Sequence, residues 1–420
     1  MKLIADLHIH SKYARACSPD LIPENLAIWA DKKGIAVLGT GDFTHSGWLV
    51  DLKNALIEAE PGLYKMKTGL SKTRFLLSAE VSSIYKQGDK VRRVHNLLLA
   101  PSFSAVEALN SELTKRGVNL RSDGRPIMGL HCSELVKIAK TVDEKIEIIP
   151  AHAWTPHFGV FGSLSGFDSL DEAFGEEAKH IFAIETGLSS DPKMNWQVEN
   201  LDSISLISNS DAHSLRKIGR EANVFEIDIA GLSYDRIISI IKNKNPKEFL
   251  YTLEFFPEEG KYHLDGHRDH GFSCSPEQTK EYNGICPVCG KQLLRGVRHR
   301  VSDLGNRKFG FEPQGTIPYK SVIPLEEVIA ETFGVGTSSK KVLSMYEQMV
   351  AKQPEFTILL DLPKQEIATI GTQDIAESIE RVRHGQVHIE PGYDGVFGKI
   401  QIYSLEEREK LNKSKQSQLF

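Results

Sequence analysis

The sequence is poor in cysteine, with 5 in 420 residues, at Cys17, Cys132, Cys274, Cys286 and Cys289. So few thiols, three of them crowded into one short stretch, exclude a disulfide-stapled secreted scaffold and point to metal binding in a reducing compartment. Apolar runs of membrane-spanning length are missing too, so no spanning helix and no membrane partner are expected. The opening MKLIADLHIH lacks the apolar core and cleavage site of a secretory leader. A charge excess of one sign is also lacking: 51 Lys and Arg stand against 56 Asp and Glu, a formal net charge of −5. That balance excludes a uniformly basic coat but leaves room for a local basic surface. Walker loop, dinucleotide fingerprint and Ser-His-Asp arrangement are all absent. The expected location is the cytoplasm, with nucleoid association if the source is prokaryotic.

The chain does have the 40% hydrophobic and 25% charged composition of a soluble globular protein, and its length suggests two or three domains. Apolar runs at 3–7, 35–38, 75–77, 96–99, 146–150, 181–184 and 205–208 read as strands. Helical patterns at 23–32, 51–60, 104–116 and 133–141 alternate with them. This alternation predicts an α/β fold with a parallel sheet, more specifically a distorted (β/α)7-type barrel over residues 1–255. A His-, Cys- and Gly-rich stretch marks a small zinc-binding module over 256–300. Ordinary patterning then returns as an α+β C-terminal domain over 301–410, with helices at 325–333 and 339–350 and a β-like run at 356–362. The polar tail 411–420 reads as disordered.

The main chemical signal is a set of histidines and acids at the strand ends. In an extended strand residues two apart share a face, so His8 and His10 can reach one ion, and Asp211 and His213 repeat the spacing. Asp42 and His45 follow the second strand, Glu80 the third; His95 precedes a strand and His152 ends one. A single histidine of this kind is more often a satisfied core residue. Nine of the 15 histidines fall before residue 214, most of them behind strands, and packing does not explain that joint pattern. The metal set is therefore His8, His10, Glu80, His152, Asp211 and His213, with Asp42, His45 and His95 as further ligands. Imidazole and carboxylate donors suit two or three divalent ions, zinc, manganese or magnesium, with Glu80 as a bridge. Two such ions clamp a phosphate and activate water for in-line attack, so His8, His10, Asp42, Glu80, His152, Asp211 and His213 form the catalytic set.

A second metal site lies further on. Cys286 and Cys289 in CPVCG make a zinc knuckle, and His267 and His270 supply a matching half-site, with Cys274 as the alternative ligand. A structural zinc would stabilise a segment too poor in apolar residues to fold alone. Lys291, Arg295, Arg298, Arg300, Arg307 and Lys308 follow it. They are either a solvated face or a phosphate-tracking surface for DNA. The loops 121–125 and 187–191 are plain connections or the lining of a pocket for an extruded base. Trp48, Tyr85, Trp154 and Trp196 either stack on a base or pack in the core.

The motif order DLHIH, GDFTH, Glu80, His152 and SDAH resembles the polymerase-and-histidinol-phosphatase (PHP) superfamily. The chain departs from that pattern at Tyr13-Ala14-Arg15-Ala16, where many members carry a further ligand, and this counts against a complete three-metal site. Segments such as KGIAVLGTGDFTHSGWL, IETGLSSDP, GKYHLDGH, CPVCGK and PGYDGVFGKI resemble the endonuclease Q family over nearly the whole chain. That resemblance implies a PHP barrel, a structural zinc, and cleavage of damaged DNA 5′ of uracil, hypoxanthine, xanthine or an abasic site. A sliding clamp is a second candidate partner. The competing readings are a small-molecule phosphatase of the histidinol-phosphatase kind and a non-catalytic DNA- or clamp-binding protein.

Overall fold

Short runs of Leu, Ile and Val give strands buried on both faces, because helices and loops cover each side of the sheet they join. The computed structural model describes residues 1–404 and 406–408, and divides the chain into two units. One comprises residues 1–254 and 297–320, the other 255–296 and the residues from 321 onward. The expected three-way division at 256 and 301 therefore differs from the observed one. The helix Val297–Leu304 and the segment to residue 320 belong with the first unit, and the zinc-motif stretch groups with the C-terminal helices. The expected tail 411–420 lies outside the described residues.

In the first unit the strands are β1 Lys2–Asp6, β2 Val37–Gly39, β3 Leu56–Glu60, β4 Leu63–Met66, β5 Arg74–Gln87, β6 Lys90–Ala100, β7 Ile127–Met128, β8 Glu147–Pro150, β9 Ala183–Glu185, β10 Ser205–Ile207, β11 Ala222–Glu226 and β12 Phe249–Glu254. The sheet is mixed rather than uniformly parallel. β1–β2 and β2–β5 pair parallel, whereas β5–β6, β6–β8, β1–β11 and β11–β12 pair antiparallel. β9 and β10 form a separate parallel pair. Leu3, Val37, Leu76, Leu97, Ile149, Ala183, Ile207 and Phe225, one from each of eight strands, nevertheless enter one core. The helix Tyr234–Asn243 adds Ile237, Ile238, Ile240 and Ile241 to it. Each such side chain contributes at most about 2 kcal/mol by burial.

Three departures from expectation have local causes. The β5–β6 hairpin is far longer than its apolar centres at 75–77 and 96–99, because Ser82, Ser83, Arg92 and Arg93 interrupt the run without interrupting the ladder. The second helix spans Ser46–Ala55, and residues 56–60 form a strand that turns back through Pro61-Gly62, with Gly62 at φ 74°. The β-like run at 356–362 is the helix Glu355–Leu360, begun by Pro354 and held by Arg383, which donates to the carbonyls of Ile358 and Leu359.

In the second unit, strands Asp265–His267 and Phe272–Cys274 pair antiparallel. The short helix Pro276–Glu281 follows, and from residue 325 come five more: Leu325–Phe333, Lys340–Val350, Glu355–Leu360, Lys364–Ile370 and Gln373–Arg383. The only strands among them and after are the short hairpin His388–Glu390 with Lys399–Gln401, so this part is mainly helical among the described residues. Nowhere in the described residues is a helix long and apolar enough to cross a membrane.

Candidate metal centre

His8 and His10 stand just beyond the end of β1, and Asp211 beyond β10. A parallel bridge between Ile9 and Ala212 lays the two i, i+2 motifs side by side, with the His10 amide donating to the Ala212 carbonyl. β5 delivers Glu80 to the same point, β6 delivers His95, and His152 follows β8. His8, His10, Glu80 and Asp211 form one group of converging donor atoms, and Glu80, His95 and His152 form a second.

Glu80 joins the two. Its Oε2 lies 3.7 Å from His8 Nε2 and 3.3 Å from His10 Nε2, while Oε1 lies 2.6 Å from His95 Nδ1 and 2.9 Å from His152 Nε2. Asp211 Oδ1 closes the first group at 3.0 Å from His10 Nε2 and 3.7 Å from His8 Nε2. The buried Nε2 of His8 has no hydrogen-bond partner in this cluster. An imidazole nitrogen facing two carboxylates across a contact too long for a hydrogen bond fits coordination of a divalent ion.

Electrostatics describes the same arrangement. Burial alone would lower the pKa of His8 and His10, but Glu185 and Glu80 around one, and Asp42, Asp211 and Glu80 around the other, lift both well above the ordinary imidazole value. Burial would raise the Glu80 and Asp211 carboxyls, yet the surrounding imidazoles hold both below their usual values. Desolvation pushes His95 down to about 4 despite Glu80 beside it. A set of carboxylates and imidazoles that can exchange protons for cations is the donor chemistry of a metal centre.

Three of the expected ligands, Asp42 and His45 from the further set and His213 from the main one, are placed differently. Asp42 lies behind the cluster, where its carboxylate accepts from His10 Nδ1 at 3.0 Å and from the Ser11 amide and hydroxyl at 2.6 Å. It orients a ligand rather than joining either group. His45 caps the helix Ser46–Ala55, accepting from the Trp48 amide, and stacks on Tyr13 at 4.3 Å. His213 sits at the mouth beside His10, rings 4.6 Å apart, with its Nδ1 donating to the Asp211 carbonyl.

Residues that the sequence reading passed over complete the site. Glu185, at the end of β9, accepts from His8 Nδ1 at 3.0 Å, from the His152 amide at 2.8 Å and from Asn209 Nδ2 at 2.9 Å. Asp6 accepts from the Ser210 and Gly219 amides and so anchors the segment carrying Asp211. Burial lifts its carboxyl to about 6 against those bonds. Arg125 donates to Glu80 Oε2 at 3.1 Å, which gives the loop 121–125 a place at the centre. Asp42, His152 and Asp211 all hold left-handed backbone, φ 48°, 32° and 47°, a strain that L-residues adopt when their surroundings over-determine it. Gly187, φ 62°, lies so close against His152 that a β-carbon there would overlap it.

Trp48, Tyr85 and Trp154 are buried, the first and third with their indole N–H satisfied by Gly41 and Asn195, so they pack rather than stack on a base. In the second unit His267, Cys286 and Cys289 converge, with Cys289 Sγ 3.4 Å from His267 Nδ1. Burial would raise the Cys286 thiol, but His267 and the amides of Val288 and Cys289 bring it down to about 7. His270 is exposed with its ring 4.9 Å from that of His267, and Cys274 is buried with its thiol 3.2 Å from Thr279 Oγ1. Neither joins the converging trio. Of the basic residues, Arg300 is bonded to Asp168 and the carbonyls of Phe161 and Phe167, and Arg307 to Asp202. Lys291, Arg295 and Lys308 are exposed and Arg298 is half-buried.

The chain is similar over its whole length to a solved protein. The lesion-specific endonuclease PfuEndoQ of Pyrococcus furiosus shares 31% identity at a TM-score of 0.84, over 98% of this chain and 99% of that one. The chain belongs to the endonuclease Q family. A second endonuclease Q structure, solved with a 27-mer duplex carrying an abasic lesion at the active site, matches at 31% identity and a TM-score of 0.82, over 97% of this chain and 98% of that one. The uncharacterised protein YqxK of Bacillus subtilis is 27% identical over 95% of this chain and 99% of its own length. The uncharacterised protein MJ0043 of Methanocaldococcus jannaschii is 32% identical over 59% of this chain, which spans only 31% of that longer protein. Residues 324–386, the helical part of the second unit, match the MJ0043 C-terminal domain family. For an endonuclease Q member, both converging groups thus stand in a chain whose fold matches that of a lesion-specific endonuclease from end to end.

Proposed function

We propose that this endonuclease Q member is a metal-dependent DNA-repair endonuclease that hydrolyses the phosphodiester 5′ of deaminated bases (uracil, hypoxanthine, xanthine) and of abasic sites. The observation that carries this reading is Glu80, whose two oxygens face two separate histidine-rich groups, as a carboxylate bridging two ions must. The full-length likeness to lesion-specific endonucleases, one of them holding an abasic duplex, supports the substrate class. Strands arranged round one core fit a distorted (β/α)7-type PHP barrel.

His8, His10, Glu80 and Asp211 would hold one divalent ion, and Glu80, His95 and His152 a second. Such a pair supplies charge stabilisation and an activated water for in-line displacement at phosphorus. The protein's own part is orientation. Glu185 and Asp42 fix the rings of His8 and His10 from behind through Nδ1, which leaves each Nε2 facing inward. Arg125 and the half-exposed His213 place donors at the mouth, where a phosphate would arrive. In the second unit His267, Cys286 and Cys289 would hold a structural zinc, with His270 or Cys274 as the fourth ligand.

The test is incision of end-labelled duplexes carrying one uracil, hypoxanthine or abasic site, beside an undamaged control, with each metal and with a chelator. A chelator-sensitive nick 5′ of the lesion is expected, and Asp211→Asn should lose it while still binding the duplex. No nick with any metal would sink the lesion assignment, and an active Asp211→Asn enzyme would sink the metal assignment.

A further inference from the structure

The segment after the helix Val297–Leu304 is firmly rooted and open at its tip. At the root, the Asn306 and Arg307 amides donate to the Gln197 carbonyl, Asn306 pairs with Glu199 at 2.6 Å, and Arg307 grips Asp202 with two bonds of 2.7 Å. At the tip, Lys308, Phe309, Gly310 and Phe311 project outward. Phe309 and Phe311 are 38% and 46% exposed, and a β-carbon on Gly310, φ 91°, would meet nothing within 4 Å.

Hydrophobic burial does not account for two phenylalanines on such a tip, since neither reaches a core. Their neighbours are cations. The Phe309 ring has the Arg298 guanidinium 4.2 Å and the Lys193 ammonium 4.7 Å from its centroid, and Arg307 lies 4.8 Å from that of Phe311. Arg307 is paired with Asp202, so Arg298 and Lys193 on the Phe309 ring, with the exposed Lys308 beside it, carry the positive charge here. Aromatic faces flanked by Arg and Lys on a fixed loop are the chemistry that takes up an unpaired nucleobase and its phosphates. Lys193 lies in the short helix Pro192–Asn195, which the chain enters soon after Glu185, the carboxylate holding His8 and His152.

We propose that Lys308–Phe311 is a stacking platform for an unpaired base beside the lesion, with Lys193, Arg298 and Lys308 meeting the flanking phosphates. This rests on the DNA-endonuclease reading above. Opening a duplex costs unstacking energy, and a ring offered to the displaced base offsets part of it.

The experiment compares full-length wild type with Phe309→Ala, the Phe309→Ala/Phe311→Ala pair and Phe309→Trp on a fluorescein-labelled abasic duplex, by anisotropy without added metal and by incision kinetics with metal. Thermal midpoint and bound metal are measured on every variant. The double variant should bind about ten-fold more weakly and show a matching rise in KM. Phe309→Trp should bind as wild type, and midpoint and metal content should not change. Binding and KM within two-fold of wild type would overturn the platform. So would a parallel fall in midpoint or metal, which would make the loop a structural element only. If wild type itself leaves the duplex uncut, the endonuclease reading fails instead, so the two failures are separable.

Discussion

Glu185 belongs to neither group of converging donors, yet it holds one histidine from each: the ring of His8 and the backbone of His152. A carboxylate behind a metal-bound imidazole fixes its tautomer and raises its basicity, an effect worth 10–100-fold in metal affinity. Glu185→Gln keeps the size and one acceptor oxygen but removes the charge. It should lower metal affinity by about that factor, read by chelator competition and metal analysis, with incision recovered at raised metal concentration. Unchanged affinity, or a loss that metal does not restore, would remove this role. The contrast with His8 explains what was legible at this scale. The i, i+2 spacing of His8–His10 and Asp211–His213 is a pattern that one strand alone can carry. Glu185 and Arg125 reach the centre from strand ends and loops distant in sequence, and a lone acid or arginine there has no spacing to betray it. The one available cue for Glu185 was the cue that found Glu80, an acid closing an apolar strand. Asp42 and His45 show the reverse case, since residues near a motif can serve it by orienting a ring or capping a helix.

At the scale of elements, the strands with uninterrupted apolar runs were readable, and the ones missed or shortened were those that polar residues cross. β11 and β12 pair antiparallel beside β1, and no motif announces them. The C-terminal helices Leu325–Phe333 and Lys340–Val350 were legible from a Gly after the first, φ 67° at Gly334, and a Ser cap before the second. The hairpin Asp265–His267 and Phe272–Cys274 with its knuckle is the element least able to stand alone, because its buried apolar cluster is only Cys274, Cys286 and Leu293, with Phe272 against it. Its stability should therefore depend on metal. Cys286→Ser should release one zinc per chain and expose 255–296 to limited proteolysis, and a chelator should do the same to wild type. A variant that keeps its zinc, or loses it without added cleavage, would contradict the knuckle's structural role.

For the whole molecule, the alternation of strand and helix patterns announced an α/β protein, and the family likeness extends over nearly the full chain. The location of the boundaries was not readable, because residues 297–320 return to the first unit after the chain has left it. Contacts distant in sequence decide such a return, and no local pattern records it. Contacts distant in sequence also bury Glu254, the last residue of β12, where its carboxyl meets the hydroxyls of Thr186 and Ser208. Burial is the largest influence on it, opposed by those hydroxyls and by Thr252, and reinforced by Asp191. The result is a pKa raised from 4.5 to about 8. Between those values the folded protein keeps a proton that the unfolded chain releases. Stability from this group is therefore complete below about pH 4.5, declines across the window by up to about 1.4 kcal/mol per pH unit, and is gone once pH passes about 8. Glu254→Gln keeps a neutral group of the same shape and has no proton to lose. Its denaturant midpoint should match wild type near pH 5, exceed it increasingly from pH 6 to about 8, and keep a constant lead above that. Parallel midpoint curves for the two proteins would mean that Glu254 is already ionised in the fold, held by hydrogen bonds from Thr186, Ser208 and Thr252.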